Sequence, residues 1–282
     1  MARLIGLAAL AALALGVEAV TAASTPDLAR VEHHGVALAY DTSLANGVVS
    51  EIVAERVWDN EWASAPEHVR LGLDGYAGVN DLPGTAEIRV YPAEAYAQMN
   101  PFAAGTMATL RALLADRPDL GQRYGGYLPA KREPGAGEPG EQWEWSPPLL
   151  PWSGAATVIH ARPAYFNGEG AVGVRYLAQE SQNHCWLGSR DVTFYAFQGL
   201  TADGAWYVAA RLPVRTSFEV AAFVPPHPWS ESAFAAACDS ANAWLAAALE
   251  NEQGDAFTPS IDALDSLIGS IRVFDQWRET RS

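Results

Sequence analysis

Apolar and polar residues alternate in the first third of the chain, which predicts short strands with one buried face. In residues 68–74, for example, Val69, Leu71 and Leu73 share one side of the backbone. Strands that bury one face in this way are typical of antiparallel sheets. The predicted strands are residues 35–41, 48–57, 68–74 and 86–91.

Three other segments have apolar residues at helical spacing and carry helix start signals. Asn100-Pro101 supplies an N-cap and a first-turn proline, Ser230 caps an alanine-rich segment, and Thr258-Pro259 begins the last one. The predicted helices are residues 100–117, 230–249 and 258–271.

The second half of the chain predicts two β-hairpins in series. They are residues 155–179, with a turn at 167–170, and residues 192–214, with a turn at 201–204. Four strands in series suggest a meander. Together these elements predict an α+β fold, mostly antiparallel sheet with about three helices packed on it; an α/β/α sandwich is one form that satisfies this pattern.

Periodicity is lost in a Pro-, Gly- and Trp-rich loop at about residues 118–154. A loop of this length is uncommon in a compact domain and is usually mobile or functional. Trp143, Trp145 and Trp152 are the notable apolar residues of this loop. Either they pack the loop onto its own domain or they contact a ligand, so they are candidate ligand-binding residues.

The first residues of the chain have the pattern of a secretory signal peptide. Arg3 precedes an apolar run at residues 4–17; small residues at Val20 and Ala22 fit a cleavage site, and cleavage after Ala23 fits nearly as well. The run is 14 residues long, shorter than the roughly 17–25 that span a bilayer. We therefore expect residues 1–23 to be removed on export, leaving a secreted or periplasmic protein at 24–282 with a single α+β domain and no integral membrane segment.

Charge excludes some partners. The formal net charge is −15 and the isoelectric point is near 4.7, which makes binding to nucleic acid or to anionic membranes improbable. Hydrophobic residues make up 49% of the chain, too many for a disordered protein.

Cys185 and Cys238 are the only cysteines. An even count in an exported protein favours one disulfide between them. The alternatives are two inert buried thiols, or a nucleophile at Cys185. His184 is poorly placed to activate Cys185, because adjacent residues of a strand point to opposite faces.

Four arginines occupy polar positions of predicted strands: Arg70, Arg89, Arg175 and Arg211. If they share a sheet face they can converge on an anionic ligand, and Arg175 and Arg211 are therefore candidate ligand-binding residues. The alternative is cross-strand pairing with acidic residues. The sequence has no nucleophile elbow, phosphate loop, dinucleotide-binding turn or zinc-protease motif. We accordingly predict no catalytic residue, metal site or cofactor.

The run 192–214 and the closing segment 266–273 resemble a group of uncharacterised exported bacterial proteins, as do residues 35–41 and 91–101. The order of hairpin, Asp-Gly turn, strand ending in Pro and a helix finishing in Ser-Ile-Arg-Val is also similar to the ending of PsbP-like proteins. That second resemblance implies an α/β/α sandwich that serves as a non-enzymatic binding scaffold. It implies no functional residue, because the long Trp/Pro loop departs from the PsbP-like pattern.

Motif absence and these resemblances favour an exported, non-catalytic binding or interaction protein, whose partner is an unknown small molecule or envelope protein. The alternative is an extracytoplasmic hydrolase acting on glycans or esters, for which no carboxylate pair can be singled out. A structural role in the envelope without a small ligand is the third possibility.

Overall fold

A computed structural model of the protein describes residues 27–59, 61–77, 86–127, 146–181, 193–216 and 230–274. The predicted signal peptide, Trp143, Trp145 and Cys185 lie outside these ranges. The strands are β1 Leu28–His33, β2 Val36–Asp41, β3 Gly47–Val53, β4 His68–Asp74, β5 Glu87–Pro92, β6 Gly126–Tyr127, β7 Ala156–Asn167, β8 Val172–Ser181, β9 Thr193–Leu200, β10 Trp206–Pro213, β11 Arg215–Thr216, β12 Phe257–Thr258 and β13 Arg272–Val273. The helices are α1 Ala93–Met99, α2 Pro101–Asp116, α3 Leu120–Tyr124, α4 Glu231–Asn251 and α5 Ile261–Gly269.

Eight strands form one large antiparallel sheet in the order β3-β4-β5-β10-β9-β8-β7-β6. Strands β7 to β10 follow one another across it, so the predicted meander is confirmed. A smaller sheet has the order β1-β2-β13, and β11 pairs with β12.

The large sheet is covered on both faces. In β9 every residue is buried, and its side chains alternate between two apolar clusters. Phe194 and Ala196 belong to the cluster that contains helices α1, α2 and α3, and we call this side the α2 face. Tyr195 and Phe197 belong to the cluster that contains α4, α5 and the small sheet, and we call this side the α5 face. The α+β class is confirmed, with helices on both faces of the sheet.

The start of α2 shows how the sequence sets an element in place. Asn100 is buried, and its Oδ1 accepts a hydrogen bond from Ala103 N at 2.9 Å, as predicted for an N-cap. Its Nδ2 also donates to the carbonyl oxygens of Trp62 and Ser64, at 3.0 and 2.9 Å. One side chain therefore caps the helix and fixes the β3–β4 connection against it.

Several elements differ from expectation. The strand predicted at 48–57 ends at Val53, since the chain then turns into a connection closed by a bridge between Arg56 and Ala65. Helices α1 and α3, seven and five residues long, were not predicted because they are too short to show a helical period. The helix α3 and strand β6 also lie inside the segment predicted as a loop at 118–154.

Cys238 is buried on α4, with 2% of its surface exposed. Because Cys185 lies outside the described residues, the Cys185–Cys238 disulfide stays a prediction. Within the ranges given above, no helix has the length and apolar character needed to cross a membrane.

His160, on β7, is fully buried on the α2 face and contacts Tyr176 edge-on at 5.8 Å between ring centroids. Among the described residues neither ring nitrogen has a hydrogen-bond partner. Burial lowers the pKa of His160 to about 3, whereas an unfolded histidine has a pKa of about 6.5. The folded protein thus binds fewer protons than the unfolded chain between these values, and acid favours unfolding.

We expect His160→Phe, which keeps the packing, to reduce this acid sensitivity. Between pH 7.5 and pH 4.5 the wild type should lose about 2.7 kcal/mol of stability more than the variant, from about two pH units of linkage. Urea unfolding at the two pH values measures this, with His33→Gln on exposed β1 as the control. An equal loss in His160→Phe and wild type would show that His160 does not carry the effect.

Candidate ligand-binding face

The four arginines of the predicted strands do not share one face. Arg70, Arg89 and Arg211 lie on the α2 face, where they contact residues of that side. Arg175 lies on the α5 face, where its Nε is 3.4 Å from a carboxylate oxygen of Asp265 in α5. Arg175 and Arg211 therefore cannot contact the same small ligand.

Three of the strands on the α2 face are joined by a row of ion pairs. Arg70 contacts Glu51 through Nη1 at 2.7 Å and Glu87 through Nε at 2.8 Å. Arg89 contacts the other oxygen of Glu87 through Nη2, also at 2.7 Å. Glu87 is thus shared by two arginines, one from β4 and one from its own strand.

A second ion pair continues the row. Arg211 on β10 lies directly opposite Glu87 in the strand register, and its Nη1 is 2.6 Å from a carboxylate oxygen of Glu180 on β8. Its guanidinium carbon lies 3.7 Å from the centre of the Phe194 ring, a cation–π contact. The other oxygen of Glu180 accepts a hydrogen bond from the Ser153 hydroxyl at 2.8 Å.

Next to Ser153, three aromatic rings form a cluster at the start of α2. The Trp152 ring lies 5.7 Å from Trp62 and 6.2 Å from Phe102, measured between centroids. Trp62 and Phe102 stack at 6.3 Å. Trp152 keeps 37% of its surface exposed despite these contacts. Its ring is therefore held in place and still faces solvent.

His68, Tyr91 and Tyr96 form a second aromatic stack on the α2 face. The ring centroids are 4.3 Å apart for His68 and Tyr91 and 4.4 Å apart for Tyr91 and Tyr96. The Tyr91 hydroxyl accepts from Arg89 Nη1 at 3.5 Å. Tyr96 is the residue whose carbonyl accepts from the Asn100 amide at the end of α1.

These residues form a row on the α2 face, which we call the belt; Arg211 and Glu87 are linked in it only as opposite positions of paired strands. It is made of Trp152, Ser153, Glu180, Arg211, Glu87, Arg89, Tyr91, Tyr96, Asn100 and Trp62. Arg70, Arg89 and Arg211 match Glu51, Glu87 and Glu180 in number, so the belt and its flank carry no net charge. Such a surface is better suited to a polar, uncharged ligand than to an anion.

The contacts around Arg175 join helices to the sheet and lie on the face opposite the belt. Asp265 also accepts from the Tyr195 hydroxyl at 2.7 Å, and Arg175 Nη1 donates to the Arg162 carbonyl at 2.7 Å. Arg162 occupies the β7 bulge with φ of 54°, and its backbone amide donates to Glu250 of α4 at 2.5 Å. Burial raises the pKa of Asp265, which Arg175 and Tyr195 counteract. These contacts tie α4 and α5 to the sheet.

Of the candidate residues from the sequence, the structure brings Trp152 and Arg211 together, because Ser153 and Glu180 link them. Trp143 and Trp145 lie outside the described residues. The sequence patterns did not single out His68, Tyr91 or Trp62 as site residues. Regular alternation in residues 68–74 and 86–91 placed His68 and Tyr91 on the polar face of two strands, and that was the available signal.

In the described ranges, no group of three or more His, Cys, Asp and Glu side chains has the arrangement of a metal site. Comparison of the chain with protein-family models, with curated proteins and with solved structures finds no match. The resemblance to PsbP-like proteins therefore stays a prediction.

Because Glu87 forms ion pairs with two arginines, we expect Glu87→Gln to destabilise the fold by about 1–3 kcal/mol, the cost of leaving partly buried charge without its partner. The matched variant Glu51→Gln removes a carboxylate that is 52% exposed, against 10% for Glu87, and should cost less than about 1 kcal/mol. Urea unfolding at pH 7 compares the two. Equal losses would contradict the central place given to Glu87.

Proposed function

We propose that the protein is an exported, non-catalytic binding protein whose ligand contacts the belt at Trp152. The observation that carries the proposal is the exposed Trp152 ring, fixed between Trp62 and Phe102 and linked through Ser153 to Glu180. An aromatic ring whose orientation is already fixed loses little entropy when a ligand packs on it. Such rings beside well-placed polar groups are typical of ligand sites.

The carboxylates around the belt favour binding over hydrolysis. Glu51, Glu87 and Glu180 each accept hydrogen bonds from arginine side chains at 2.6–2.8 Å. A carboxylate held in this way orients its neighbours, whereas a general acid must keep a proton to donate. This arrangement supports the binding function over the alternative of an extracytoplasmic hydrolase acting on glycans or esters.

Export rests on the leader at residues 1–23. The proposed disulfide would be a second sign of export, and Cys238 is buried on α4. In an oxidising compartment Cys185 is the partner that the sequence offers. A secreted or periplasmic protein of net charge −15 then meets its ligand outside the cytoplasm.

The binding function predicts that Trp152→Ala weakens ligand binding while Trp244→Ala does not. Trp244 is also exposed, at 51%, but lies on α4, whose apolar residues pack on the α5 face. Calorimetry and tryptophan fluorescence would be recorded with neutral oligosaccharides, uronic-acid oligosaccharides and phospholipid vesicles. We expect one class to bind the wild type and to lose at least about tenfold in affinity in Trp152→Ala, as for the loss of a central aromatic anchor.

Equal affinities for Trp152→Ala and wild type, or binding by none of these probes, would contradict the proposal. Recovery of cleaved saccharide or ester, abolished by one substitution in the belt, would favour the hydrolase.

Export predicts that protein isolated from the periplasm or medium begins near residue 24 and has no titratable thiol. Intact-mass measurement before and after reduction should differ by about two hydrogen atoms, as expected for one disulfide. An uncleaved chain in the cytoplasm, or two free thiols in freshly isolated protein, would contradict this part of the proposal.

A further inference from the structure

Strand β1 forms one edge of the small sheet, whose order is β1-β2-β13. Its residues Leu28, Arg30 and Glu32 are exposed, whereas Ala29 and Val31 pack against the apolar cluster of the α5 face. An edge strand leaves half of its backbone N–H and C=O groups without a partner in the sheet, so it can pair with a strand of another chain. What it can pair with depends on the residues that point outwards.

The hydrogen bonds of the small sheet show which backbone groups of β1 point outwards. Thr42 N donates to the Asp27 carbonyl oxygen at 2.9 Å, in register with the β1–β2 ladder. Because hydrogen-bonded and non-hydrogen-bonded pairs alternate along an antiparallel ladder, the odd-numbered residues of β1 bond to β2. The backbone groups of Arg30 and Glu32 consequently point away from the sheet.

Arg30 and Glu32 bring charges of both signs to this edge without a partner in their own chain. Both lie opposite alanines of β2, and among the residues that the structure describes neither side chain has an ion-pair partner. The open edge of the large sheet at β3 differs, because its one charged residue, Glu51, is already paired with Arg70. The unpaired opposite charges, and not the open edge alone, distinguish β1.

A second copy of β1 supplies the complementary charges. When two antiparallel β1 strands are related by a two-fold axis at Val31, Arg30 of each copy lies opposite Glu32 of the other, and an ion pair can form on either side of the axis. The outward backbone groups of these same residues then hydrogen-bond across the new pairing. Val31 meets Val31 of the second copy on the side that packs on the core.

The charges also favour this register over its neighbours. Only shifts by two residues keep outward backbone groups opposite each other. One such shift places Arg30 opposite Arg30 of the second copy, and the other places Glu32 opposite Glu32. Like charges directly opposite each other destabilise a strand pair. The alternating signs on β1 therefore permit pairing in one register, whereas charges of a single sign would oppose it in all.

We propose that the protein forms a two-fold symmetric dimer in which β1 pairs antiparallel with β1 of a second copy, held in register by ion pairs between Arg30 and Glu32. The two small sheets then join into one continuous sheet. Because β1 packs on the cluster of the α5 face while Trp152 contacts α2 on the opposite face, this interface does not include the belt. The inference goes beyond the proposed binding function and does not depend on it.

Sedimentation equilibrium over a concentration series tests the dimer, on protein isolated from the periplasm or medium. The acidic chains repel each other, so it is recorded at physiological ionic strength, which screens that repulsion. We expect a reversible monomer–dimer equilibrium for wild type. Arg30→Glu and Glu32→Arg each replace attraction by repulsion and should dimerise at least about tenfold more weakly. Arg111→Glu, the same charge reversal at an exposed position of α2, should dimerise as wild type.

Mixing the two variants separates a lost ion pair from a lost fold. The edge of Arg30→Glu carries only acidic side chains and that of Glu32→Arg only basic ones, so the mixture should form a heterodimer more tightly than either variant dimerises alone. The double variant Arg30→Glu/Glu32→Arg exchanges the two charges and should dimerise as wild type.

Cysteine cross-linking reads out the register. Val31→Cys should form an intermolecular disulfide under mild oxidation, because the two copies of this position lie directly opposite each other. Ala29→Cys should not, since residue 29 lies opposite His33 of the second copy in this register. Wild type that stays monomeric at every concentration, a dimer that Arg30→Glu leaves unchanged, a mixture that associates no better than its components, or cross-linking by Ala29→Cys instead of Val31→Cys would each overturn the inference.

Discussion

A sheet covered on both faces allows few charged side chains, because removing a charge from water is costly unless an opposite charge pairs with it. Strands β9 and β10 are buried almost throughout, so a charged residue on the α2 face needs an opposite charge within reach. Glu87 meets this need for Arg70 and Arg89 together. The ion pairs and aromatic stacks of the belt follow from this constraint.

Pairing also shapes what the surface can bind. Since Arg70, Arg89 and Arg211 are already matched by carboxylates, electrostatic capture of an anion has little to gain at the belt, and the acidic chain as a whole repels anions. Directed hydrogen bonds and aromatic stacking remain as sources of affinity. The Trp152 ring offers such a stacking surface, and it packs on Trp62, which lies in the connection that Asn100 holds.

The sequence predicted the fold better than the site, and the reason is physical. The strand at 68–74 and the helix beginning at Asn100 are encoded by neighbouring residues, through alternation and capping. The belt instead depends on distant pairs such as Ser153 with Glu180. Arg175 and Arg211 both occupy polar strand positions, yet the register places them opposite Phe197 and Ala196, adjacent residues that point to opposite faces. The alternation within one strand does not show whether its polar positions fall on the same face of the sheet as those of another strand.

The most direct measurement is a ¹H–¹⁵N spectrum of the tryptophan indole N–H groups recorded while the oligosaccharide and vesicle probes are added in turn. The Trp152 signal reports the ring proposed to contact the ligand, and the Trp244 signal reports an exposed ring on α4. We predict a saturable shift of the Trp152 signal with the Trp244 signal unchanged. A probe that binds while the Trp152 signal stays fixed would contradict the account.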